Sequence, residues 1–189
     1  PKEWDVSLYG WVRTEYNFDS RQSAYSREFN LNLYPLDEKL DANGNDINGA
    51  DASNFLAITS RIGLRFKGPD VWGAKATGNI EADFFGNTEL NKSSAGSGST
   101  GMMRLRHATA TLTWPKTAVT FGQTWYPSVI PDVFPGVANF NSGIIFNPFG
   151  WAGQIKVTQK LTPELTASIL AYKAREFQPV TANGASANS

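Results

Sequence analysis

The chain of 189 residues has no cysteine, so disulfides and thiolate metal sites are excluded. It has one histidine, His107, with no second histidine or cysteine to share a metal, and this residue reads as packed or hydrogen-bonded within its strand. Net charge is also lacking: 17 Lys and Arg balance 17 Asp and Glu. No basic stripe points to nucleic acid and no acidic tail to a solvating role. No stretch reaches the roughly 18 continuous apolar residues of a membrane-crossing helix. The start, "PKEWDVSLYG", carries no cationic-then-apolar leader, which reads as a mature form if the protein is exported. Helical periodicity, Gly-rich phosphate loops and a Ser/His/Asp set are absent too, and no cofactor is implied.

What is present favours β structure. Twelve Phe, six Trp, six Tyr and 17 Gly accompany abundant Thr, Ser and Asn. Period two recurs along the chain. In "WDVSLYGWVRTEYNFD" the even positions Trp4, Val6, Leu8, Val12, Tyr16 and Phe18 are apolar or aromatic, and Asp5, Ser7, Arg13, Glu15 and Asn17 alternate with them. In "NFLAITSRIGLRFK", Leu56, Ile58, Ile62, Leu64 and Phe66 oppose Thr59, Arg61, Arg65 and Lys67. From Lys75 to Phe85, Thr77, Asn79, Glu81 and Asp83 oppose Ile80, Ala82 and Phe84. "MMRLRHATATLTW" sets Arg104 and Arg106 against Leu105, but its parity blurs at Leu112 and Trp114, which marks a bulge there. "TAVTFGQTWY", "AGQIKVTQKL" and "ELTASILAYKAR" complete seven strand candidates.

Connections alternate in length. Short turns lie at "GPDVWGA", "WPKT" and "LTPE", and long loops at 19–54, 87–101 and 127–151. An up-and-down sheet with short turns at one end and long loops at the other is the build of a transmembrane β-barrel, whereas Greek-key sandwiches mix the two. The candidates run roughly 10 to 14 residues, enough for the ~9 to 11 of a tilted membrane strand. Aromatics near strand ends, at Trp4, Tyr16, Phe18, Phe84, Trp114, Trp125 and Tyr126, suit interfacial girdles. Backbone in lipid must be fully paired, and closed bacterial barrels have an even strand number from about eight upward. Seven strands therefore predict a single β-barrel domain over 1–189 that is the N-terminal part of a larger barrel, or else an eighth strand that the pattern does not reveal.

The stretches "LYGWVRTEYNFD", "TSRIGLRFKGP", "IEADFFG", "RLRHATATLTW" and "FGQTWYPS", in this order, resemble the N-terminal half of the DcaP-like outer-membrane porin family. The resemblance implies a sixteen-strand barrel, a homotrimer in outer-membrane lipid, and passive uptake of small polar or anionic solutes. The chain departs from the family by stopping about halfway and by a first long loop rich in Asp, Asn and Gly.

On this reading Arg13, Glu15, Arg61, Arg65, Glu81, Asp83, Arg104 and Arg106, all at polar parity, line the lumen. Guanidinium forks bind carboxylates and phosphates and stay charged, so such rows would draw anions. The bland alternative is that they only pair with Glu15, Glu81 and Asp83 to brace the wall. An enzymatic alternative takes Glu81 and Asp83 as the paired acids of a β-glucanase-like hydrolase, but "EADFFG" has no third acid. Another alternative is a secreted β-sandwich that binds glycans on exposed aromatics. Residues 126–150, with four prolines, form a loop expected to enter the barrel and narrow it through Asp132, Phe134 and Phe140, or else to pack outside against a neighbour. "DANGNDINGADAS" imitates a calcium loop through Asp41, Asn43 and Asn45, but Asp46 replaces its glycine and Ala52 its closing Glu, so an Asx-rich surface loop is the better reading.

Overall fold

A computed structural model describes residues 3–26, 31–86, 101–134 and 150–174. Seven strands form one antiparallel sheet: β1 (Asp5–Trp11), β6 (Arg61–Lys67), β7 (Lys75–Asp83), β8 (Arg104–Thr113), β9 (Thr117–Trp125), β10 (Trp151–Lys160) and β11 (Thr166–Ala174), in that spatial order. Every strand from β6 on pairs with its neighbours in sequence, giving the up-and-down wall of a partial β-barrel. The turns at 68–74, 114–116 and 161–165 lie at one end, and the strand ends that lead into the long connections lie at the other. At the short end Trp72 is exposed, in the left-handed region at φ 50°, and its carbonyl accepts the indole N–H of Trp114 at 3.1 Å.

The two faces of this sheet are the reverse of a soluble domain. One register row runs Val6, Phe66, Gly78, Ala110, Phe121, Ile155, Ala171, and the next begins Leu8, Leu64, Ile80, Ala108. Leu8 is 69% exposed, Phe121 67% and Ile80 46%, and no other element packs over them among the described residues. The buried side chains include Glu81, Asp83 and Arg106. Water would penalise a contiguous apolar face of this size, and hydrocarbon would not. The alternation is therefore that of a wall with lipid on one side and polar groups on the other.

Four details differ from the sequence reading. The first two strand candidates each break in two: β2 (Glu15–Asp19) pairs with β5 (Ala52–Leu56) as a separate ribbon. Ser60 holds the break, accepting Arg13 N–H at 3.0 Å and donating to the Arg13 carbonyl at 3.3 Å. The break leaves parity unchanged across Val12 and Ile58, so alternation does not reveal it, and it leaves the sheet strands at 7 to 10 residues. Second, the first long loop contains a hairpin, β3 (Ser23–Ser26) with β4 (Leu31–Pro35), too short and irregular to show a pattern. Third, the bulge lies at Arg106 rather than beyond it: Glu81 faces His107 while Ala82 faces Leu105. That slip restores Leu112 to the apolar face beside Val119. Fourth, Trp125, expected in a girdle, packs on Trp151 and the arginines.

Gly122, at φ 128°, marks a close crossing of β8 and β9: a Cβ there would collide with the Ala108 carbonyl oxygen. Gly122→Ala is expected to cost about 1–3 kcal/mol, the scale of a strained backbone residue. Urea unfolding midpoints of the protein in detergent micelles check this, and an unshifted midpoint would contradict it.

Candidate functional site

The densest set of charged side chains sits where β6, β7 and β8 approach the long-loop end. Alternation places Glu81 and Asp83 on one face of β7. On β8 strict alternation would turn Arg104 and Arg106 one way and His107 the other. The bulge at Arg106 overrides this and brings all three to the acids, the re-aiming that bulges provide. Arg104 grips Asp83 with two bonds, Nε to Oδ1 at 3.0 Å and Nη2 to Oδ2 at 2.7 Å. Arg106, 1% exposed, bridges the acids, donating from Nε to Glu81 Oε1 at 2.7 Å and from Nη1 to Asp83 Oδ2 at 3.0 Å. Asp83 also accepts the Phe85 backbone N–H at 3.1 Å. Arg61 reaches Glu81 Oε1 at only 3.8 Å, and its buried Nε has no hydrogen-bond partner among the described residues.

Aromatic rings close over these cations. Trp125 and Trp151 stack with centroids 4.4 Å apart. Arg104 lies over Trp151 at 4.4 Å and Phe85 at 5.2 Å, and Arg106 over Trp125 at 4.9 Å. Arg61 lies over Trp11 at 4.5 Å and Arg65 over Tyr9 at 4.1 Å. Cation–π contacts of this kind strengthen as water is removed. The Tyr9 hydroxyl stands 2.8 Å from Asn79 Oδ1 and 3.0 Å from Glu81 Oε2, and its ring covers Gly63, where a Cβ would clash with it. His107 Nδ1 is 3.0 Å from Thr124 Oγ1 and its Nε2 is 3.8 Å from Glu81 Oε1.

Of the eight residues expected to line a lumen, the fold gathers Arg61, Glu81, Asp83, Arg104 and Arg106 into this cluster. Arg65 lies four residues along β6 from Arg61, nearer the short turns and opposite Asn79. Arg13 pairs with Glu15 at the break between β1 and β2. Sequence reasoning missed Tyr9 and Trp151. Tyr9 carried a signal, a hydroxylated aromatic at polar parity between Ser7 and Trp11, whereas Trp151 was hidden by its place at the end of an irregular loop.

The two loop expectations fare differently. Asp132 is exposed in a single 3-10 turn, Pro131–Val133, and Phe134 follows it. Phe140 lies outside the described residues, and with it the path of the loop. Tyr126 N–H donates to the Gly150 carbonyl at 2.9 Å and closes the loop's base. In the Asx-rich loop, Asp41 Oδ1 accepts the backbone N–H groups of Asn43 at 2.8 Å and Asn45 at 2.9 Å, and these bonds, Asn45 first, hold its carboxyl below the usual range. Asp46 accepts from Lys39 and Asn48 and pairs with Arg21 at 2.8 Å. These acids organise the loop itself, and among the described residues no group of three or more His, Asp or Glu is placed to hold a metal.

No family model and no curated protein matches the chain. A solved structure does: the chain is similar to the outer membrane channel DcaP of Acinetobacter baumannii, with a TM-score of 0.64 and 26% identity over 95% of this chain and 44% of that one. The chain thus spans less than half the length of the channel it matches. Its fold is DcaP-like, a partial β-barrel of the bacterial outer membrane, and the matching structure is an outer membrane channel.

Proposed function

We propose that the chain is the N-terminal part of an outer-membrane diffusion channel, a single barrel domain completed by further strands, assembled as a homotrimer, through which small polar solutes, anions preferentially, move down their gradients without a cofactor. The observation that carries this reading is the inversion of faces. Apolar side chains stand exposed along the sheet while guanidinium and carboxylate groups crowd the opposite side. Closed into a barrel, that second side borders water, where opposed rows of charge select ions by sign. On this reading Arg13, Glu15, Arg61, Arg65, Glu81, Asp83, Arg104 and Arg106 face the lumen, and loop 126–150 narrows it.

The rivals are less well supported. A hydrolase needs one acid free to give a proton and one free to attack or activate water. Here Asp83 accepts from two guanidinium groups, and Glu81 accepts from one while a second, Arg61, stands nearby. A glycan-binding sandwich needs a second layer against the apolar face, and none is seen among the described residues. Reconstitution of the full-length protein into planar bilayers tests the proposal. Discrete conductance steps with chloride favoured over potassium are expected, and bilayers that stay silent would overturn it.

A further inference from the structure

Resting on the channel reading, we infer that, of the three arginines in the cluster, Arg61 contributes the net charge that selects ions while Arg104 and Arg106 brace the wall. Three guanidinium groups meet two carboxylates in the cluster, so one positive charge is left over. Hydrogen-bond geometry says which. Arg104 and Arg106 take Glu81 and Asp83 at 2.7 to 3.0 Å. Arg61 must share Glu81 Oε1, already held by Arg106 at 2.7 Å, from 3.8 Å.

Access agrees with charge. The Arg61 side chain keeps 19% of its surface exposed against 1% for Arg106 and 13% for Arg104. Its guanidinium carbon lies over the Trp11 ring, a contact made through the flat face of the group, which leaves the in-plane N–H donors for other partners. The Nε itself is buried, so only the exposed remainder of the side chain, whose Nη1 stands 3.8 Å from Glu81 Oε1, can meet a solute. A fixed, charged fork of this kind is suited to passing carboxylate or phosphate groups. The two neutralised arginines contribute little net field.

The test uses the full-length channel in planar bilayers under a potassium chloride gradient. Arg61→Gln is expected to lower the chloride-to-potassium permeability ratio about tenfold, because one unit charge acting through water over ~6 Å is worth about threefold for the anion and, with opposite sign, about threefold for the cation. The paired change Arg104→Gln with Asp83→Asn removes one charge of each sign and is expected to shift the ratio less than Arg61→Gln does. Should Arg61→Gln fail to insert, Arg61→Cys gives a second route, because this chain has no other cysteine. Labelling the inserted channel with a cationic thiol reagent is expected to restore the anion preference, and an anionic one to reverse it. Conducting channels whose ratio ignores both Arg61 variants would overturn the inference and leave the channel reading standing. Silence from the unmodified protein would remove that reading itself.

Discussion

Arg106→Ala is expected to destabilise the protein by about 3–5 kcal/mol, the cost of removing one partner from a buried ion pair. The size follows from where the guanidinium stands. It is the most buried charged group of the cluster and the only described group bonded to both Glu81 and Asp83. Without it Glu81 keeps the Tyr9 hydroxyl and, at 3.8 Å each, Arg61 and His107, while Asp83 keeps Arg104 and the Phe85 N–H. The charges then balance in number, but Glu81 is left with no guanidinium within hydrogen-bond reach. An exposed ion pair would cost ~0–1 kcal/mol instead, so the measurement separates a dry cluster from a wetted one. Urea unfolding of the full-length protein in micelles provides it. Adding Glu81→Gln to the Arg106→Ala background should recover part of the loss, since a neutral amide tolerates the missing cation while Asp83 keeps Arg104. A loss below 1 kcal/mol, or no recovery on neutralising Glu81, would show that the cluster does not brace the wall.

What the sequence disclosed and what it hid divide along the range of the forces involved. Lipid imposes a constraint residue by residue, so the alternation Val6, Leu8, or Ile62, Leu64, Phe66 is visible locally. The loop rhythm is equally local, because turn residues such as Trp72–Gly73 or Thr162–Glu164 bound each strand. The break at Arg13 and Ser60 is held by hydrogen bonds between segments 47 residues apart and leaves no mark on parity. The bulge is legible only as the conflict between Arg106 and Leu112, both even-numbered yet on opposite faces; it could be sensed but not placed. The cluster shows the same division. Parity found Arg61, Glu81, Asp83, Arg104 and Arg106, each from its own strand. Which arginine holds which acid, and that Trp125 and Trp151 cap them, depends on register between strands and on the end of a long loop.

Ile80→Arg is expected to cost about 2–4 kcal/mol in a bilayer, the depth-dependent penalty for a cation on the lipid face near the mid-plane. Ile80 lies within β7, in register with Leu64 and Ala108 on the exposed apolar side. Thr109→Arg, one residue along β8 on the other face and opposite Asn79, is the matched control. A water-filled lumen accepts it at little cost. The pair of measurements distinguishes three environments for one surface. If the apolar side met water, Ile80→Arg would be nearly free and would raise solubility without detergent. If it met a second protein layer, burying an unpaired charge would cost more than the lipid penalty, and the unmodified protein would be a soluble monomer. Only hydrocarbon gives an intermediate cost at Ile80 that shrinks as the arginine is moved toward Trp72 and Trp114, where a long side chain can reach the interface. A depth-independent cost would place something other than a bilayer against this face, and the assignment of the opposite face to a lumen would fall with it.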